Sequence, residues 1–168
     1  MLFRSDPVEW DDTFRCVAWR PHGACLATAD SKGCVRIWEP TSGKLVRTLY
    51  GHTSSLSCVA WSSDGRFLAS AGMDGSVRIW DADAGQELLT LRGHSGGVHC
   101  LAWSPDGLRL ASGGGEIKIW DTISGREALT LRGHTSAVQA LAWSPDGRSL
   151  ASASWDKTIR IWEAAAKE

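Results

Sequence analysis

The chain has 168 residues, 43% hydrophobic and 22% charged, with 18 basic against 19 acidic residues for a net charge of −1. This balance excludes a disordered chain and carries no electrostatic footprint for nucleic acid or an anionic membrane. No apolar run approaches the roughly 18–20 residues of a membrane helix, and the length suits one domain with a single core.

From the start of the chain, "MLFRSDPVEW" offers neither an apolar core of signal-peptide length nor a small-residue cleavage site. A cytoplasmic protein is therefore expected. From there on, one unit is written four times. "AWR", "AWS", "AWS" and "AWS" centre on Trp19, Trp61, Trp103 and Trp143, and "RIWE", "RIWD", "KIWD" and "RIWE" on Trp38, Trp80, Trp120 and Trp162. Each set recurs at steps of 40 or 42 residues and together they hold eight of the ten tryptophans. Only Trp10 and Trp155 stand outside the pattern.

The second unit shows the predicted elements most clearly. "LSCVAWS" is a β-branched and aromatic strand closed by the turn "SDG". "FLASAG" follows, then a turn at "MDG" and a strand "SVRIWD" that alternates Val77 and Ile79 with Arg78 and Trp80. After "ADAGQ" comes "ELLTLR", the fourth strand. The third unit repeats this with "LASGGGEIKIW", two residues shorter than "LASAGMDGSVRIW" and "LASASWDKTIRIW". Its Gly113, Gly114 and Gly115 are expected to permit a tight turn. A phosphate loop would need a helix N-terminus or a following lysine and serine, and a strand follows instead. The fourth unit has no outer strand after "RIWE". Residues 1–9 are the candidate to supply one, with Pro7 tolerable on an edge. The tail 164–168 has helix propensity and is excluded from the fold.

"GHTSSLSCVAWSSDGRFLASAGMDGSVRIWD" and "GHTSAVQALAWSPDGRSLASASWDKTIRIWE" resemble WD repeats. The resemblance implies an all-β β-propeller with four blades per chain, each a four-stranded antiparallel sheet, at about 10–50, 51–92, 93–132 and 133–163. It also implies a hydrogen-bonded tetrad in each blade. That tetrad is complete as His52, Ser70, Asp74 and Trp80, and as His134, Ser152, Asp156 and Trp162. The third unit keeps His94, Ser112 and Trp120 but no matching aspartate, with Glu116 the nearby acid available to compensate. The first keeps Thr28 and Trp38, with Trp10 at the histidine position, Lys32 at the aspartate position and Asp30 two residues early.

Ser, His and Asp together also suggest a nucleophile triad, but a catalytic site occurs once and this set recurs with a tryptophan. No catalytic residue, metal site or cofactor is expected. Cys16, Cys58 and Cys100 share one small packing position, in separate blades. Without a C-x-x-C spacing they suggest neither zinc nor disulfides, and five thiols fit a reducing compartment. Arg36, Arg78, Lys118 and Arg160, with Glu39, Asp81, Asp121 and Glu163 after each tryptophan, read as a solvated or salt-bridged ring. His22 replaces a turn aspartate and is expected in a solvated turn.

The function implied by the resemblance is a non-enzymatic scaffold that binds a protein or peptide partner on its loops and channel rim. The corresponding rim positions are Asp11, Thr53 and Thr135 after the histidine position, Thr13 and Ser55 further along, and Ser31, Met73 and Trp155 before the aspartate position. Trp155 and Met73 are the large apolar members, and tryptophan is enriched at binding hot spots. Four blades are half of eight, so a homodimer closing one eight-blade ring is the favoured assembly. A closed four-blade monomer and a half-ring fragment of a larger regulatory protein are the alternatives. A propeller hydrolase and a phosphopeptide or nucleic-acid reader are the rival functions.

Overall fold

The computed structural model describes residues 12–23 and 25–163. Four antiparallel sheets follow one another along the chain. The first holds β1 (Phe14–Trp19), β2 (Leu26–Asp30), β3 (Val35–Glu39) and β4 (Lys44–Leu49) in that order. The second holds β5 (Leu56–Trp61), β6 (Phe67–Gly72), β7 (Val77–Asp81) and β8 (Gln86–Leu91). The third holds β9 (Cys100–Trp103), β10 (Arg109–Gly113), β11 (Ile117–Asp121) and β12 (Glu127–Leu131). The fourth has three described strands rather than four, namely β13 (Val138–Trp143), β14 (Ser149–Ser154) and β15 (Ile159–Glu163). The candidate outer strand at 1–9 lies outside the described residues.

Alternation within each strand decides what faces a neighbouring blade. The small alanines of β2 and the β-branched Val35 and Ile37 of β3 meet Leu56, Val59, Trp61 and Leu68 of the second blade in one buried cluster. The second and third blades meet in the same way through Val77, Ile79, Leu101 and Leu110, and the third and fourth through Ile117, Ile119, Val138 and Leu150. The first strands form the hub, β1 packing on β5, β5 on β9 and β9 on β13. Each seam carries a hydrogen bond from the incoming tryptophan to a backbone carbonyl of the preceding hub strand. Trp61 Nε1 donates to Ala18 O at 3.1 Å, Trp103 Nε1 to Ala60 O at 3.0 Å and Trp143 Nε1 to Ala102 O at 3.1 Å.

The two ends break this series. Val17 and Trp19 are 63% and 60% exposed, whereas Val59, Trp61 and Leu101 at the same positions are buried. Ile159 and Ile161 are 76% and 60% exposed, whereas Val35, Ile37, Val77, Ile79, Ile117 and Ile119 are buried. Among the described residues the four blades form an open arc with an apolar face at each end.

None of the three glycines of "LASGGGEIKIW" has positive φ, so no left-handed turn requires them, and two of them serve close packing. A Cβ at Gly113 would lie 2.6 Å from Cys100 Sγ, and one at Gly114 would lie 2.7 Å from Gly97 O. A Cβ at Gly115 would meet nothing within 4 Å.

Candidate functional site: the tetrads and the loop rim

In the second blade a carboxylate, which can only accept, fixes the whole relay. His52 donates from Nδ1 to Asp74 at 2.9 Å, its Nε2 accepts the Ser70 hydroxyl at 2.9 Å, and Ser70 Oγ accepts Trp80 Nε1–H at 2.8 Å. The Asp74 carboxylate also takes the backbone N–H groups of Thr53 and Ser76 and the Ser76 hydroxyl. Burial alone would raise its pKa, but these donors hold it at about 2. Burial also lowers the His52 pKa, against the opposing pull of Asp74, so the imidazole is kept neutral. The fourth blade repeats the set, with His134 Nδ1 at 2.7 Å from Asp156, His134 Nε2 at 2.8 Å from Ser152 and Trp162 Nε1 at 2.9 Å from Ser152.

The first blade keeps Trp38 Nε1 on Thr28 at 2.9 Å and carries a cation at the aspartate position. Lys32 stands at the aspartate position and pairs with Asp12, which also pairs with Arg36. Asp30 is fully buried, accepts the N–H groups of Lys32 and Cys34, and faces Arg36 at 3.2 Å. Asp30 thus caps its turn as Asp74 does but reaches a guanidinium instead of a histidine. Asp12 carries no signature in the repeat pattern. Only the surplus of Lys32 over a second acid could have pointed to it. Trp10 and Asp11 lie outside the described residues.

The third blade keeps His94 Nε2 on Ser112 at 2.6 Å and Trp120 Nε1 on Ser112 at 2.8 Å. Glu116 does not compensate for the missing aspartate. It pairs instead with Lys118 and Arg132, both at 3.3 Å, because the shortened loop turns it toward the strand-three cation. Burial first, and then the nearby Lys118, pull the His94 pKa down to about 4.

The rim residues come together in pairs in the first, second and fourth blades. Ser31 N donates to Thr13 O, Met73 N to Ser55 O and Trp155 N to Ala137 O, each at 2.9–3.0 Å. Thr53 and Thr135 are exposed, but their N–H groups serve the tetrad aspartates. Trp155 is 68% exposed and lies over His99, ring centroids 6.2 Å apart. Met73, also exposed, packs its sulfur over Gly97. The two-residue deletion leaves the third blade with no side chain between them. His99 had no role in the repeat pattern, and its place beside Trp155 depends on the next blade.

Of the two readings of the charged positions, solvated or salt-bridged, the second holds for three of the four cations. Arg36, Arg78 and Lys118 are buried, with Arg78 paired to Glu87 and Lys118 to Glu127 on the outer strands. Arg160 is exposed and lies over the Trp162 ring, in the blade whose described strands stop at three. Glu39, Asp81 and Asp121 accept N–H groups of the following turn rather than joining the ring. His22 is exposed as expected, in the left-handed region at φ 68.

Clefts of about 470 Å³ and 500 Å³ lie at equivalent places on the second and third seams. Their recurrence marks them as products of repeat packing. Cys16 and Cys58 are in separate blades, yet Cys16 Sγ accepts the Val59 N–H at 3.5 Å. Among the described residues no cluster of His, Cys, Asp or Glu could hold a metal ion.

A family model described as "WD domain, G-beta repeat" matches residues 9–39, 43–81, 85–121 and 125–163. Each later match begins with the outer strand of one sheet and ends with the third strand of the next, so sequence repeat and blade are offset by one strand. No curated protein matches the chain.

Proposed function

The chain belongs to the WD-repeat family, and on that premise we propose that it is a non-enzymatic scaffold whose rim around Trp155 and Met73 binds a protein or peptide, with two copies closing one eight-blade ring. Repeats of this family generally mediate protein–protein interaction. The observation that carries the reading is the exposed indole of Trp155 beside His99 on a rim fixed by buried tetrads. A rigid rim loses little ordering entropy on binding. The five free cysteines fit a reducing compartment such as the cytoplasm.

The ring reading rests on the ends of the arc. Among the described residues each exposed end lacks the neighbour that covers the same residues inside, and contiguous apolar faces of this kind mark association sites. The ends are complementary. Trp19 carries the indole, and Ala142 the carbonyl, that the three inner seams join. In a two-chain ring Trp19 of one copy meets Ala142 of the other, twice by symmetry.

Light scattering tests the assembly. A mass of two chains is expected, falling to one in Ile161→Glu, and a single-chain mass at every concentration overturns the ring. Trp155→Ala is expected to leave the melting temperature unchanged while weakening capture of whatever partner the wild type retains. A large fall in melting temperature would reassign Trp155 to packing.

A further inference from the structure

The third blade presents most of a carboxylate-binding site. In the second and fourth blades one aspartate oxygen takes two donors together, the histidine Nδ1–H and the N–H of the next residue. Asp74 Oδ2 receives His52 Nδ1 and Thr53 N, both at 2.9 Å. Asp156 Oδ2 receives His134 Nδ1 at 2.7 Å and Thr135 N at 3.0 Å. The corresponding donors in the third blade are His94 Nδ1 and Ser95 N, and the two-residue deletion has removed the acid.

The imidazole has nevertheless stayed in place. A Cβ on Gly114 would lie 3.3 Å from His94 Nδ1, and one on Gly72 would lie 3.4 Å from His52 Nδ1. The ring is held by Ser112, whose Oγ accepts the Trp120 N–H, as Ser70 accepts from Trp80. The Ser112 hydroxyl proton therefore goes to His94 Nε2, and the neutral ring carries its own proton on Nδ1. Among the described residues neither His94 Nδ1 nor Ser95 N finds an acceptor. Gly115 aligns with Gly75, the residue that follows the tetrad aspartate in the second blade, and a Cβ there would meet nothing within 4 Å. Glu116 cannot swing in without leaving Lys118 and Arg132.

We propose that His94 Nδ1–H and Ser95 N–H bind a carboxylate supplied from outside the chain, in the place that Asp74 and Asp156 fill from within. The same oxygen accepts both donors, so the ligand completes the tetrad. The site needs only the geometry of one blade and is independent of ring closure and of Trp155. An acidic side chain and a peptide C-terminus share the required chemistry.

The experiment is an NMR titration of the full chain, reading the His94 ring nitrogens and the Ser95 amide against His52 and His134. The probes are N-acetyl-aspartate amide for a side-chain carboxylate, N-acetyl-glycine for a terminal one, and N-acetyl-asparagine amide as neutral control. Saturable shifts at His94 and Ser95 with one or both acids, absent with the asparagine probe, are expected, and the responding acid identifies the source. Inserting Met-Asp between Gly114 and Gly115 restores the loop and its acid, and should abolish the response while leaving the protein folded. The proposal is overturned if neither acid shifts His94, if the asparagine probe acts equally, if all three histidines move in parallel, or if the insertion leaves the response intact.

Discussion

Asp12 forms an ion pair with Lys32 at 2.5 Å, and Lys32 is the residue standing where the second and fourth blades carry their tetrad aspartate. The first blade has therefore exchanged the sign of that position and answered it with an acid from the strand entry. Asp12 is also the partner of Arg36, whose side chain is almost fully enclosed. The Asp12 side chain is enclosed too, and its pKa is lowered, first by Lys32 and then by Arg36.

Asp12→Ala should accordingly destabilise the chain more than Asp83→Ala does. The second variant removes an ion pair with Arg20, but Asp83 is largely in solvent, where such pairs contribute about 0–1 kcal/mol. Removing one partner from enclosed charges leaves the others uncompensated. Paired thermal melts at low and high salt check this. Equal effects of the two substitutions would show that the Asp12 cluster is as screened as a surface pair.

His52→Ala should lower stability by about 1–3 kcal/mol, because it strands the Ser70 hydroxyl and the enclosed side of Asp74. Asp74→Asn should cost less, since an amide oxygen can still accept the His52 proton, while the Thr53 and Ser76 donors lose a charged acceptor. Denaturant unfolding measures both. A wild-type midpoint in His52→Ala would remove the tetrad from the account of stability.

The repeat and its strands were legible because the same tryptophans mark every unit, and the tetrads were legible because they are tied to that spacing. Other features had no such label. The indoles of Trp61, Trp103 and Trp143 bond to backbone carbonyls one blade away, and a carbonyl has no sequence signature. Arg36 pairs with Asp12 and Asp30, Arg78 with Glu87 and Lys118 with Glu127, and a period-two pattern does not say which acids, if any, meet these buried cations. The direction of Glu116 was decided by a cation two residues on, Lys118, and by Arg132 from the next loop. The role of Gly113 was decided by Cys100 and Val138, from two other strands.

His94 makes stability depend on pH in a definite window. Its folded pKa is about 4, below the ordinary value of 6.5, with burial the leading cause and Lys118 the next. The unfolded chain therefore takes up the proton first as the solution is acidified. The contribution is complete above pH 6.5, is lost progressively as pH falls toward 4, and changes no further below that. A shift of this size corresponds to roughly 1–3 kcal/mol once partial solvent access is allowed for. The His94 ring should titrate near pH 4 by NMR in a buffer free of carboxylates, and the acid-side slope of unfolding should be shallower in His94→Gln. A ring titrating at 6.5 would contradict the burial argument.

Lys157 takes the left-handed backbone, φ 69, that Gly33 and Gly75 take at the same place in the first two blades. The glycines are needed there twice over. They avoid the cost of that φ, and a Cβ at Gly33 or Gly75 would lie 2.8 or 3.1 Å from a carbonyl oxygen of the following blade. Lys157 belongs to the fourth blade, at the open end of the arc, and pays only the backbone cost. Lys157→Gly should therefore raise stability by roughly 0.5–1 kcal/mol, less than the full left-handed penalty because glycine loses more entropy on folding. If two chains close a ring, the same change also removes a Cβ from the closing seam, so the variant should dissociate at lower concentration than the wild type in light scattering. An unchanged melting temperature in Lys157→Gly would mean that the left-handed turn at Lys157 carries no strain.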